Sequence, residues 1–365
     1  MHPCVPSVVR SVREIMAPLR AALLLVVALA CAGCQLQWVA PQGSTPLRYR
    51  DAVFASSQVT SDITYGSAVN LEKQTVVLKL DLYEPVGDVV RNRPAIIWAH
   101  GGWFAFGDKA DGGSANSAAE ALAHEGFVTA SINYRLESPP CDASAPDKHC
   151  VDAIVQATED AKTAVRFLKA HAMKFGIDPT RIAFAGSSAG AIMAMQVAYN
   201  TEEDPGAGVR AGVSISGANL LSHINAGDAP TLLIHSAGDT VVPYQWAVNT
   251  VTDARAAGLH ADLTTYCGDE HVPYFDHFQS VNEQISNFLW WTMDLAHASG
   301  STPPQAPGAA VAPGLVQPPA PIGTAPPTIP PTPTPVPTPH PGCILSTMTP
   351  SPVGSSGPAL PSHPS

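Results

Sequence analysis

The stretch Gly186-Ser187-Ser188-Ala189-Gly190 constrains this chain most. The apolar run Arg181-Ile182-Ala183-Phe184-Ala185 leads into it, and the helix-like run Ala191-Ile192-Met193-Ala194-Met195 leads out. Strand, tight turn and helix in that order form a sharp elbow that presents the central serine. The residues two before and two after the serine must lack bulk, and both are glycine. Only Ser188 has that spacing; Ser187 fills a variable position.

A hydroxyl is a poor nucleophile near neutral pH and needs a base, which in turn needs an orienting group. Later in the chain, Thr231-Leu232-Leu233-Ile234-His235 reads as a buried strand that runs into Ser236-Ala237-Gly238-Asp239. Asp239 therefore stands just past a strand end, the place for an orienting carboxylate; the plainer reading is a solvated turn aspartate. Residues 261–266 alternate as a strand does, and Cys267-Gly268-Asp269-Glu270-His271 follows. His271 is the candidate base, and His277, in the same loop region, is the second choice. An anionic intermediate also needs N–H donors. One is expected from Ala189, at the helix start. The other is expected after the buried strand at residues 95–99, where His100-Gly101-Gly102-Trp103-Phe104 follows. Glycines there let the backbone aim its N–H groups. His100 precedes the serine and is read as structural.

The rest of the chain supplies an α/β framework. Residues 74–85 place Val76, Leu78, Leu80 and Leu82 on one face and Asp81 and Tyr83 on the other, an early antiparallel strand. Helical patterns over residues 114–125, 151–174, 244–257 and 280–298 alternate with apolar strands over 127–133 and 212–217. Such repetition predicts a mostly parallel central sheet flanked by helices. Residues 218–230 are too few for a helical cap, so no large cap domain is expected and the site is open on that side. Trp290 and Trp291 are read as packing residues.

These pieces together resemble the α/β-hydrolase superfamily, and within it the esterase/lipase branch with a His-Gly-Gly-Gly motif, near hormone-sensitive-lipase-like and feruloyl-esterase-like enzymes. Ser131-Ile132-Asn133-Tyr134-Arg135-Leu136, residues 159–168 and Phe175-Gly176-Ile177-Asp178-Pro179-Thr180-Arg181-Ile182 add to the likeness. It covers residues 60–297. The resemblance implies a serine ester hydrolase with Ser188, Asp239 and His271 as triad and an acyl-enzyme intermediate. It places the first oxyanion donors at Gly102 and the next position. That position is Trp103 where the family has a third glycine, so Trp103 would donate through its backbone. Its ring then either narrows the acyl pocket or packs on the loop.

The two ends of the chain do not read as globular. Arg20, the apolar residues 21–30 and Cys31-Ala32-Gly33-Cys34 describe a secretory signal over residues 1–34, with Met16 as the expected true start. Ala-Gly before Cys34 resembles a bacterial lipoprotein signal, which implies lipidation of Cys34 and membrane attachment through that lipid. Cys31 stands where such signals prefer leucine, so plain cleavage and uncleaved anchoring both stay open. Residues 35–55 read as a polar tether and 56–299 as the catalytic domain. Residues 300–365 hold 21 of the 36 prolines and read as a disordered linker or spacer that cannot build a core.

A formal net charge of −11 with no basic run argues against a nucleic-acid partner. Of seven cysteines, Cys141 and Cys150 flank a short polar loop and are expected to form a disulfide in an exported chain, leaving Cys267 unpaired. No Cys/His spacing resembles a metal site and no cofactor motif is present, so neither is expected. The expected partner is a small-molecule or polymer-linked ester. A serine exopeptidase of the same fold, or a non-catalytic surface binding protein, are the rival readings.

Overall fold

The computed structural model describes residues 46–301 other than 112, 143 and 144. The expected leader with Cys34, most of the tether and the Pro-rich tail lie outside the described residues. Strands β1 (Ser57–Val69), β2 (Thr75–Pro85), β3 (Arg93–Ala99), β4 (Val128–Ile132), β5 (Ile177–Ser187), β6 (Ala211–Ile215), β7 (Thr231–Ser236) and β8 (Ala261–Tyr266) form one eight-stranded sheet. The order across it is β1-β2-β4-β3-β5-β6-β7-β8. β1 pairs antiparallel with β2, and β2 antiparallel with β4; every pair beyond runs parallel. Strands β3, β4, β6 and β7 are buried along their whole length. Helices cover both faces of a parallel sheet, so these strands read as unbroken apolar runs.

The helices are α1 (Ser114–His124), α2 (Lys148–Ala170), α3 (Ala189–Ala198), α4 (Tyr244–Ala256) and α5 (Phe278–Thr292), with a helical turn at Ala172–Phe175. Helix α2 starts three residues ahead of the expected boundary because Asp147 caps it, accepting a hydrogen bond from the Cys150 N–H at 2.8 Å. The expected helix over 280–298 ends at Thr292 and gives way to a short 3-10 turn, Leu295–His297. Trp290 is buried at its end, and Trp291 is half-exposed.

Two expectations about the N-terminal side are corrected. Strand β1 was not anticipated; its sequence is polar and it lies at the sheet edge with mostly exposed residues, so it lacks an apolar face to read. Residues 46–55 are not free tether. Leu47 and Tyr49 are buried, the Tyr49 N–H donates to the Glu125 carbonyl at 2.7 Å, and the Tyr49 hydroxyl donates to the Ser299 carbonyl. Burial of these two large side chains outweighs the charged Arg48 between them. The segment 216–230 between β6 and β7 contains no helix, as expected, and is pinned where the Leu221 and Ser222 N–H groups donate to Gln196 Oε1. Among the described residues, no helix is long and apolar enough to cross a membrane.

Candidate active site

Strand β5 ends at Ser187 and α3 begins at Ala189, so Ser188 is the hinge between them. Its φ of 53° lies in the left-handed region, strained for a residue with a side chain. A Cβ at Gly186 would run into the backbone of Gly190, and one at Gly190 into the Ala99 carbonyl. The glycines therefore let β5, β3 and α3 close around the bend. The Ser188 N–H donates to the Ile215 carbonyl at 2.9 Å. Ser187 turns into the protein, with its hydroxyl hydrogen-bonded to that of Ser114.

Asp239 and His271 come from the turns after β7 and β8. The Asp239 carboxylate is fully buried and accepts hydrogen bonds at Oδ1 from the Val241 and Val242 N–H groups, at 2.8 and 3.1 Å. The His271 loop leans on the Asp239 turn through a bond from the Gly238 N–H to the Gly268 carbonyl at 3.0 Å. His271 Nδ1 lies 2.9 Å from Asp239 Oδ2 and its Nε2 lies 2.8 Å from Ser188 Oγ. With Nδ1–H donating to the carboxylate, Nε2 is left to accept the serine proton. Burial pushes the Asp239 carboxyl up, but hydrogen bonds from His235 and then His271 outweigh it and hold the group below the usual carboxylate range. His277 takes no part: it bonds Glu270 at 3.2 Å and stacks on Tyr266. His235, read only as the end of a strand, is a second imidazole on the same carboxylate, its Nε2 3.0 Å from Asp239 Oδ2.

The loop after β3 lies against Ser188. A Cβ at Gly101 would crowd the Ser188 side chain, and Gly102, at φ 118°, has no room for one beside the Phe106 carbonyl. Trp103 also has a positive φ, 58°. Its carbonyl accepts the Cys141 N–H at 2.9 Å, and the Phe104 carbonyl accepts the Glu137 N–H at 2.8 Å. The Cys141–Cys150 disulfide, with Cα atoms 4.6 Å apart, therefore buttresses the loop expected to hold the oxyanion. Among the described residues, no acceptor takes the N–H groups of Gly102, Trp103 or Ala189. His100 is structural as expected: Nδ1–H donates to the Gly101 carbonyl at 2.6 Å, the ring stacks on Tyr134, and burial pushes the imidazole down.

Ser188 and His271 open on a cleft of about 430 Å³. Its rim carries Trp103, Phe106 and Phe275, all more than one-third exposed. Trp103 thus faces the cleft rather than packing down on its loop. Cys267, expected to be unpaired, is disulfide-bonded. Among the described residues, no cluster of His, Cys, Asp or Glu is arranged to hold a metal ion.

Parallel strands that deliver a serine, an aspartate and a histidine to one edge, in that chain order, define an α/β-hydrolase. The BD-FAE family model matches residues 80–207 and the TAP-like protein model residues 211–292. Both matches support an esterase/lipase-like α/β-hydrolase. Solved structures of Thermogutta terrifontis esterase 2 share the fold. The form phosphorylated by paraoxon aligns at 22% identity and a TM-score of 0.52, covering 65% of this chain and 94% of that one. The propionate-bound form aligns at 22% and 0.51, covering 64% and 94%. The native form aligns at 22% and 0.51, covering 67% and 95%. No curated protein matches this chain.

Proposed function

We propose that this chain is an exported serine carboxylic ester hydrolase, lipid-anchored through Cys34, that works through an acyl-enzyme. The observation that carries the reading is the bond path from Ser188 Oγ through His271 to Asp239, at 2.8 and 2.9 Å, beside a loop whose Gly102 and Trp103 N–H groups have no acceptor among the described residues. Ser188 Oγ attacks the ester carbonyl while His271 Nε2 takes its proton. Asp239 holds the imidazole in the right tautomer and stabilises it once charged, without itself taking the proton. The N–H groups of Gly102, Trp103 and Ala189 receive the oxyanion, each such donor being worth about 3 to 4 kcal/mol of barrier. His271 returns its proton to the leaving alcohol, then activates the water that releases the acid.

The open cleft and the short segment between β6 and β7 suit substrates with short acyl groups on bulky or polymer-linked alcohols. Thermogutta terrifontis esterase 2 has been captured with propionate and with butyrate, which makes short acyl chains the first to test. Ser188→Ala is expected to lower p-nitrophenyl acetate hydrolysis by at least ~10⁴-fold. Paraoxon or a fluorophosphonate probe is expected to modify Ser188 in the unaltered chain and not in the variant, as read by peptide mass. Retained turnover in Ser188→Ala would end the proposal, and a peptidase preference in a paired ester and aminoacyl-amide assay would redirect it.

A further inference from the structure

We propose that His235 is a positioning residue of the hydrolytic site: its Nε2–H fixes the Asp239 carboxylate that orients His271. The inference rests on the proposed function, since it assigns a role within that reaction. His235 is the penultimate residue of β7 and is fully buried. Its Nε2 lies 3.0 Å from Asp239 Oδ2 and 3.0 Å from the Val242 carbonyl. Both neighbours are acceptors, so Nε2 must carry the hydrogen. Val242 in turn donates its N–H to Asp239 Oδ1 at 3.1 Å. One imidazole thus clamps the carboxylate and the turn that presents it.

A merely structural histidine would be better satisfied. Tyr244 packs edge-on against the ring, but Nδ1 is buried with no hydrogen-bond partner among the described residues. A buried polar atom without a partner is a liability that an apolar residue of similar size would avoid. The ring's polar edge therefore serves its other nitrogen. Oδ2 accepts from His271 Nδ1 and lies 3.0 Å from His235 Nε2, while Oδ1 accepts two backbone N–H groups. Without His235, the Asp239 turn loses its tie at the Val242 carbonyl and Oδ2 loses its polar neighbour, so the His271 ring loses its register on Ser188 Oγ. The defect falls on the chemical step, where the imidazolium forms, and leaves substrate binding unchanged.

The test compares His235→Leu, His235→Asn and His235→Gln, with kcat normalised to sites titrated by a fluorophosphonate. Glutamine places an N–H where Nε2 stands; asparagine is polar but too short to reach. Leu and Asn are expected to lower kcat for p-nitrophenyl acetate by ~10- to 100-fold with KM within about twofold, and Gln to restore most of it. Wild-type rates in folded Leu and Asn variants, or equal losses in Asn and Gln, would overturn the inference. If the Leu variant does not fold, the contrast between Gln and Asn carries the test. A second readout is independent of turnover. The low-field proton of the His271–Asp239 bond, followed by NMR, is expected to shift or vanish with Leu and Asn and persist with Gln. An unchanged resonance in all three overturns the assignment. An unaltered chain that hydrolyses no ester would count against the proposed function alone, with the NMR comparison still deciding the role of His235.

Discussion

At the residue scale, three of the nine described non-glycine residues with positive φ lie where the chemistry is proposed to occur. Ser188, Trp103 and Phe104 all have positive φ, a conformation that costs about 1–2 kcal/mol for a residue with a side chain. Close packing of β3, β5 and α3 holds Ser188 in place; hydrogen bonds from Glu137 and Cys141 hold the other two. Trp103 is the sharpest departure from the glycine-rich motif, and the structure separates its two contributions. The backbone N–H is the proposed oxyanion donor, whereas the ring lines the cleft. Trp103→Gly is therefore expected to keep kcat on an acetate ester within about threefold, because a glycine still donates its N–H. KM for an ester with a bulky aromatic alcohol is expected to rise about fivefold as the apolar wall is lost. A steady-state panel of the two substrates checks this; a collapse of kcat on acetate would mean that the ring itself holds the donor in place. Ser188, Asp239 and His271 were legible because each follows a recognisable strand in the required order. His235 was not, because a histidine ending an apolar strand reads the same whether its ring faces a carboxylate or the core.

Between elements, two stretches that carried the family resemblance prove to be partners. Arg135 follows β4 and Asp160 lies in the middle of α2, and both are buried. The guanidinium grips the carboxylate through Nε and Nη2, at 2.9 and 2.7 Å, and reaches the Val69 and Gln156 carbonyls. The Arg135 N–H also donates to Asp160, at 2.8 Å. This knot ties the end of β1 and the turn after β4 to α2, next to the segment that supports Trp103. Asp160→Ala leaves a buried, unpaired guanidinium and is expected to destabilise the fold by about 3–5 kcal/mol, measured by urea denaturation. Replacing both residues together with Met and Leu should recover much of that loss, since a well-packed apolar pair has no charge to desolvate. A loss below 1 kcal/mol in the single variant would show the pair to be dispensable.

For the molecule as a whole, pH acts through a buried carboxyl that does not line the cleft. Glu125 is buried at the end of α1, where Ser286 of α5 lies 2.7 Å from Oε2. Burial pushes its carboxyl well above the usual range of about 4.3, with Asp51 adding to the rise against the Ser286 bond. A folded-state pKa above the unfolded one means that the contribution of Glu125 is fully present below about pH 4.3 and is lost as pH rises through the folded value. Glu125→Gln removes that titration while keeping the shape and the bond to Ser286. Its Tm is expected to exceed that of the unaltered chain at pH 8 and to match it near pH 4, by scanning calorimetry across the range. A gap that does not change with pH would place the effect in packing. The same carbonyl that accepts Tyr49 belongs to Glu125, so this corner also holds the segment before β1 to the domain.

Local pattern in the chain was enough to determine the α/β framework, the serine hinge between two glycines, the order of serine, aspartate and histidine, and the Cys141–Cys150 pairing. Those features repeat with the period of a strand or helix, or lie within a few residues of one another, so their physical cause is written locally. Only the tertiary structure decided that His235 and His271 share one carboxylate, that Arg135 meets Asp160, that β1 completes the sheet edge and that Cys267 is paired. Each of these depends on where a side chain or strand edge ends up once distant segments pack. Packing is a property of the whole core, and no short window of sequence contains it.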